Sequence, residues 1–142
     1  RQVYQTNWYG GDMGALERAL IACPDTVFVG HAPGFWRYIS GDAERDTTVY
    51  PSGPIAPGGR LFELLDAREN LWADLSAGSG LTALSRDADH GREFILRYAS
   101  RLLYGRDAHG NDLREFLDGL DLPADVVSLL HCENAARLVP TP

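Results

Sequence analysis

Three apolar runs in this chain end in side chains able to do acid–base or metal chemistry. Thr26-Val27-Phe28-Val29-Gly30 delivers His31, Leu71-Trp72-Ala73-Asp74-Leu75 carries Asp74 and leads to Ser76, and Arg101-Leu102-Leu103-Tyr104-Gly105 delivers Arg106 and Asp107. An imidazole titrates near neutrality, so His31 can ligate a metal or handle a water proton; the competing role is a histidine satisfied by nearby backbone. A carboxylate at Asp107 can ligate a divalent metal and take a proton from metal-bound water, or it can cap a helix or brace a loop. Alternation along a strand puts Asp74 and Ser76 on one side and Leu75 on the other. If that side is enclosed, Asp74 needs a partner, because an unpaired buried charge is costly. Arg86 or Arg106 is the expected partner, and a structural ion pair and a catalytic role stay equally open. His109 is a loop residue that at most lines the pocket. Trp36, with Phe35, either walls that pocket or plugs the space beneath the following loop. Arg37, Arg86 and Arg106 near the same edge hint at a carboxylate-bearing substrate.

The elements that must position these residues follow one repeated pattern: an apolar run, a Gly-rich loop, then a helix. That is the pattern of βα units on a parallel sheet, whose C-terminal strand ends form the active edge. Periodicity predicts helices over 12–23, 59–67, 87–100, 112–120 and 123–138, with Asp87 an N-cap and Pro123 in a first turn. Residues 32–59 read as a long Pro- and Gly-rich loop, the kind that often serves as a lid. Ser76-Ala77-Gly78-Ser79-Gly80 reads as a loop whose amides could face an anion. It lacks both dinucleotide-binding glycine spacing and a Walker-type lysine, so nucleotide binding is not expected. His90 reads as surface, and His131 as packing of the last helix.

With 142 residues, 44% hydrophobic and 23% charged, the chain has the composition of one soluble globular domain. A net charge of −7 works against nucleic acid and anionic membranes as partners. No apolar run is long enough to span a bilayer, and no leader is evident. All thirteen basic residues are arginine, which excludes Schiff-base or carbamylated-lysine chemistry within the chain. The two cysteines, Cys23 and Cys132, stand far apart in helical patterns and read as buried structural thiols. A reducing cytoplasm is the expected location.

At these residues the sequence resembles the amidohydrolase-related family of metal-dependent TIM-barrel hydrolases. Val27-Phe28-Val29-Gly30-His31 resembles the family's sixth strand, which ends in histidine. Leu102-Leu103-Tyr104-Gly105-Arg106-Asp107 resembles its eighth, with Arg106 where threonine is usual. Glu133-Asn134-Ala135-Ala136-Arg137-Leu138 resembles the signature of its final helix, and Asp74–Gly80 with Ser85-Arg86-Asp87 resembles the seventh-strand segment of one branch. The likeness runs over roughly residues 11–139.

The resemblance implies that Asp107 is the strand-eight metal ligand and proton acceptor. His31 would bind metal or position the reacting water. It implies a divalent ion, zinc or manganese, whose site is incomplete here. The His-x-His pair of strand one and the histidine of strand five are absent, since the four histidines stand at 31, 90, 109 and 131. Residues 1–142 are therefore expected to form a single partial domain, the C-terminal part of a (β/α)8 barrel with three parallel βα units and a closing helix. A whole barrel takes about 250 residues. Alone, the chain is expected to be inactive and marginally stable, or completed by a second copy or an upstream segment. The opening Arg1 agrees with a processed or partial chain. The expected reaction is hydrolysis, or decarboxylation, of a small organic acid, ester or amide. The alternative from another class is a non-catalytic module that binds a small ligand at its strand ends, as the missing His-x-His would allow.

Overall fold

A computed structural model describes residues 12–46, 48–107 and 109–139. Arg1 and residue 11, where the likeness begins, lie outside the described residues. Three short parallel strands form one sheet in the order β1-β2-β3 (Phe28–Gly30, Leu71–Asp74, Leu102–Leu103). Each pair of successive strands is linked by helices, as parallel pairing demands. The fold is α/β, as expected.

Helix α1 (Met13–Ala22) begins where Asp12 Oδ1 accepts the amide of Ala15 at 2.8 Å. After β1 the chain enters a short helix α2 (Pro33–Trp36) and a 3-10 turn, Arg37–Ile39. Both fall within the 32–59 stretch expected to be a loop, and are corrected to helix. The apolar triplet Phe35-Trp36 and Ile39 is 3%, 1% and 0% exposed, so burial of large side chains orders it. Helix α3 (Arg60–Ala67) precedes β2 and buries Leu61, Leu64 and Leu65. After β2 comes α4 (Ala77–Ser85), which corrects the expected Gly-rich loop at 76–80. Gly80 is needed there: a Cβ at this position would collide with the carbonyl of Leu75. Helix α5 (Ala88–Tyr98) is capped by Asp87, which accepts the His90 amide at 3.1 Å.

The sheet register separates two faces. Leu71, Ala73, Leu75 and Leu102 are all 0% exposed and belong to the core with Leu20, Leu64, Leu84, Phe94 and Tyr98. Alternation puts Val29, Trp72, Asp74 and Leu103 on the opposite face. That face is only partly covered. Val29 is 45% exposed, whereas Trp72 lies under the Arg137 guanidinium, 4.8 Å from the ring centre.

The chain ends with α6 (Asp112–Asp118) and a continuous helical run of α7 (Ala124–Ser128), a π-helical turn (Leu129–Glu133) and α8 (Asn134–Leu138). The wide turn has a structural correlate, since the Leu130 carbonyl accepts the amide of Tyr104 at the end of β3, 3.0 Å away. Asn134, 0% exposed, donates to the carbonyls of Ala99 at 2.7 Å and Leu102 at 2.8 Å. The Asn-Ala-Ala-Arg-Leu segment thus clamps the last helix to β3. Cys23 and Cys132 are both exposed free thiols, correcting the expectation of buried ones. Cys23 stands at the C-cap of α1 and Cys132 in the π-helical turn.

Candidate functional site at the strand ends

Each strand leaves the sheet through strained backbone. Ala32 follows β1 with φ +72°, Ala77 follows β2 with φ +60°, and Asp107 follows β3 with φ +47°. Non-glycine residues in this region cost roughly 1–3 kcal/mol each, and such strain collects at functional sites. Aspartate tolerates left-handed backbone better than alanine does. All three lie at the same edge of the sheet.

His31, Asp74, Ser76 and Asp107 meet at that edge. His31 Nδ1 donates to Asp74 Oδ2 at 2.9 Å, across from β1 to β2. On its other side, His31 Nε2 lies 3.7 Å from Asp107 Oδ2, which comes from β3. That separation is beyond a hydrogen bond. Side-chain exposure rises across the group, from 24% at Asp74 to 40% at His31 and 58% at Asp107. The cluster is rooted at Asp74 and opens to solvent at Asp107.

Asp74 is the most heavily bonded member. Its Oδ2 also accepts Ser76 Oγ at 2.5 Å, and its Oδ1 accepts the Ser76 amide at 2.9 Å. Its main-chain carbonyl accepts the Trp36 indole N–H at 3.0 Å. Asp74 and Ser76 do share a side, with Leu75 buried opposite. The partner expected for Asp74 was Arg86 or Arg106, and this is corrected. Arg86 donates to the carbonyls of Ser52, Gly53 and Pro54, holding the long loop against α4. Arg106 donates to the carbonyls of His109 and Gly110. Arg37 donates to the Ala43 carbonyl at 2.6 Å. Each of these arginines gives donors to nearby main-chain carbonyls.

At 1% exposure Trp36 packs edge-on against Phe35 and Phe94, and it borders a cavity of about 10 Å³ shared with Tyr50, Pro51 and Arg86. His109 is exposed in the loop after Asp107, and only its carbonyl has a described partner, Arg106. His90 packs on Phe62, and His131 stacks on Tyr104, the residue that follows β3. Ser76 lacks the wiring of a nucleophile. Its hydroxyl donates to Asp74 rather than to His31, so no base stands ready to take its proton.

Sequence reasoning missed two functional placements. One is the His31–Asp74 contact; the shared strand-end position of the two residues was the available signal. The other is Trp36 as the strut beneath Asp74, for which the sequence carries no signal beyond an aromatic pair after a strand.

One nitrogen and one oxygen converge here without a hydrogen bond between them, His31 Nε2 and Asp107 Oδ2. Bound tetrahedrally to one zinc ion, such atoms would stand about 3.3 Å apart given ordinary zinc–ligand lengths. The observed 3.7 Å is within a small side-chain adjustment of that. Among the described residues, however, no group of three or more His, Cys, Asp or Glu side chains is arranged to hold a metal. The pair suits one side of a metal site and not a whole one. Comparison with protein-family models, with curated proteins and with solved structures gives no match. No helix among the described residues is long and apolar enough to cross a membrane.

Proposed function

We propose that the chain is the C-terminal part of a metal-dependent hydrolase of the (β/α)8 type, supplying His31 and Asp107 to a divalent-metal site that further protein completes. The observation that carries this reading is the approach of His31 Nε2 to Asp107 Oδ2, 3.7 Å apart at the ends of the two outer strands. Adjacent parallel strands in chain order are also what consecutive units of a barrel would present. When bound, zinc or manganese acidifies water and polarises a carbonyl. Of this chain's own groups, His31 holds the ion's edge or orients water through Nε2, and Asp107 receives a proton on its carboxylate. The substrate class is a small organic acid, ester or amide, with decarboxylation as the alternative reaction at the same site. The two unpaired cysteines support a cytoplasmic location. Alone, the chain is inactive.

The test is a cobalt(II) titration of the full chain, read by visible absorption and calorimetry. Loss of a ligand's hydrogen-bond partner alone costs about 10–100-fold in metal affinity, so His31→Gln and Asp107→Asn should each cost at least that much. Affinity indifferent to both substitutions would refute the reading. One observation favours a second reading, a metal-free small-ligand module: the described residues offer no third ligand. Unchanged metal affinity in both variants is the result it predicts.

A further inference from the structure

We propose that Asp74, itself held by Ser76 and Trp36, is the positioning residue that selects the tautomer of His31 and so turns a bare Nε2 toward Asp107. The purpose of this device rests on the metal-site reading, while its geometry does not depend on an ion. A neutral imidazole carries one ring hydrogen, and the bond made at one nitrogen decides whether the other keeps its lone pair. Asp74 Oδ2 stands 2.9 Å from Nδ1. A carboxylate oxygen accepts and does not donate, so the hydrogen resides on Nδ1 and the lone pair on Nε2. Nε2 is the nitrogen 3.7 Å from Asp107.

Asp74 can impose this choice because it is immobilised. Both of its carboxylate oxygens are engaged by Ser76, through Oγ at 2.5 Å and through the amide at 2.9 Å. Its main chain is pinned by the indole of Trp36, which is itself sunk in the core. Ser76 is 3% exposed, so water does not compete freely for the strut. Without Asp74, the acceptor left beside the ring is Asp107, and it would draw the hydrogen to Nε2. The pair would then close into a hydrogen bond, and the nitrogen meant for a metal would be blocked. Outer partners that fix the tautomer of a ligand histidine are a recurrent device in metal sites.

The experiment is long-range ¹H–¹⁵N correlation of the histidine rings in the full chain above pH ~8, where imidazole is neutral. The His31 signals are assigned by their loss in His31→Gln. The wild type should show Nδ1–H. Asp74→Ala should move the hydrogen to Nε2, and so should the isosteric Asp74→Asn, whose one oxygen stays on the Ser76 amide and whose NH2 then faces Nδ1 as a donor. A purely structural role for Asp74 would not move the tautomer in the isosteric variant. Cobalt affinity should drop about 10–100-fold in both variants. A wild-type Nε2–H tautomer, or Nδ1–H persisting in Asp74→Ala, overturns the inference. If Asp74→Ala does not fold, the wild-type tautomer still decides. Tautomers as expected, with cobalt binding indifferent to His31→Gln and Asp107→Asn, would sustain the positioning role and defeat the metal-site reading.

Discussion

Replacing Asn134 by alanine tests how the last helix is attached to the sheet. The side chain is 0% exposed and donates from one nitrogen to two main-chain carbonyls, Ala99 at 2.7 Å and Leu102 at 2.8 Å. Alanine removes both donors and leaves both acceptors in a dry place. Stranding a buried polar group costs about 1–3 kcal/mol, so the pair together should cost roughly 2–6 kcal/mol, with a small cavity adding little. At about 3 °C per kcal/mol for a chain of this size, Tm should fall by roughly 10 °C. Arg137→Ala is the comparison on the same helix, and it also removes the 3.3 Å bond from Arg137 to Asn134 Oδ1. Arg137 caps Trp72 with a cation–π contact and donates to Ser100, but it is exposed. Such a contact is worth about 0.5–1 kcal/mol at an exposed site. Urea and thermal unfolding followed by circular dichroism give both values. An Asn134→Ala loss under 1 kcal/mol, or one smaller than that of Arg137→Ala, would refute the clamp.

Ala32 should be improved by glycine. Its φ of +72° and ψ of 165° suit glycine alone, and relieving the strain should raise stability by about 1 kcal/mol after glycine's entropic cost; a drop in the urea midpoint would contradict this. Gly30→Ala should destabilise by about 2 kcal/mol or more, because the added Cβ meets the Phe35 ring, which the core holds in place; near-neutral unfolding would show that the ring yields. Alkaline pH should weaken the fold through Tyr38. Burial first, then the hydrogen bond and charge of Glu44, push its hydroxyl up from 10.0 to about 12. The unfolded chain therefore ionises first. The stabilisation is complete below pH 10, declines as pH rises through 12, and levels off above. Urea midpoints at stepped pH, with tyrosinate absorbance, check it. Tyr98 acts in the same direction, since burial and its bond to Asp66 also raise it.

Period-two alternation was enough to put Asp74 and Ser76 on one side of a strand, and three apolar runs were enough to place His31, Asp74 and Asp107 at one edge. Both follow from strand geometry, which is local. Helix α4 was not legible, because Gly78 and Gly80 read as loop formers, whereas Gly80 is small to admit the Leu75 carbonyl. The partner of Asp74 was not legible either. Charge suggested an arginine, but the arginines available are drawn to loop carbonyls, and the imidazole of the neighbouring strand reaches the carboxylate instead. The buried fate of Trp36 and the π-helical turn both arise from contacts made only once the sheet exists.

Zinc-soaked crystals of the chain, recorded at the zinc absorption edge, give the shortest route to a decision. The account predicts an anomalous peak bonded to His31 Nε2 and Asp107 Oδ2 together, with Asp74 still on Nδ1. Zinc bound elsewhere, or His31 and Asp107 turned to separate sides of the sheet, would contradict it.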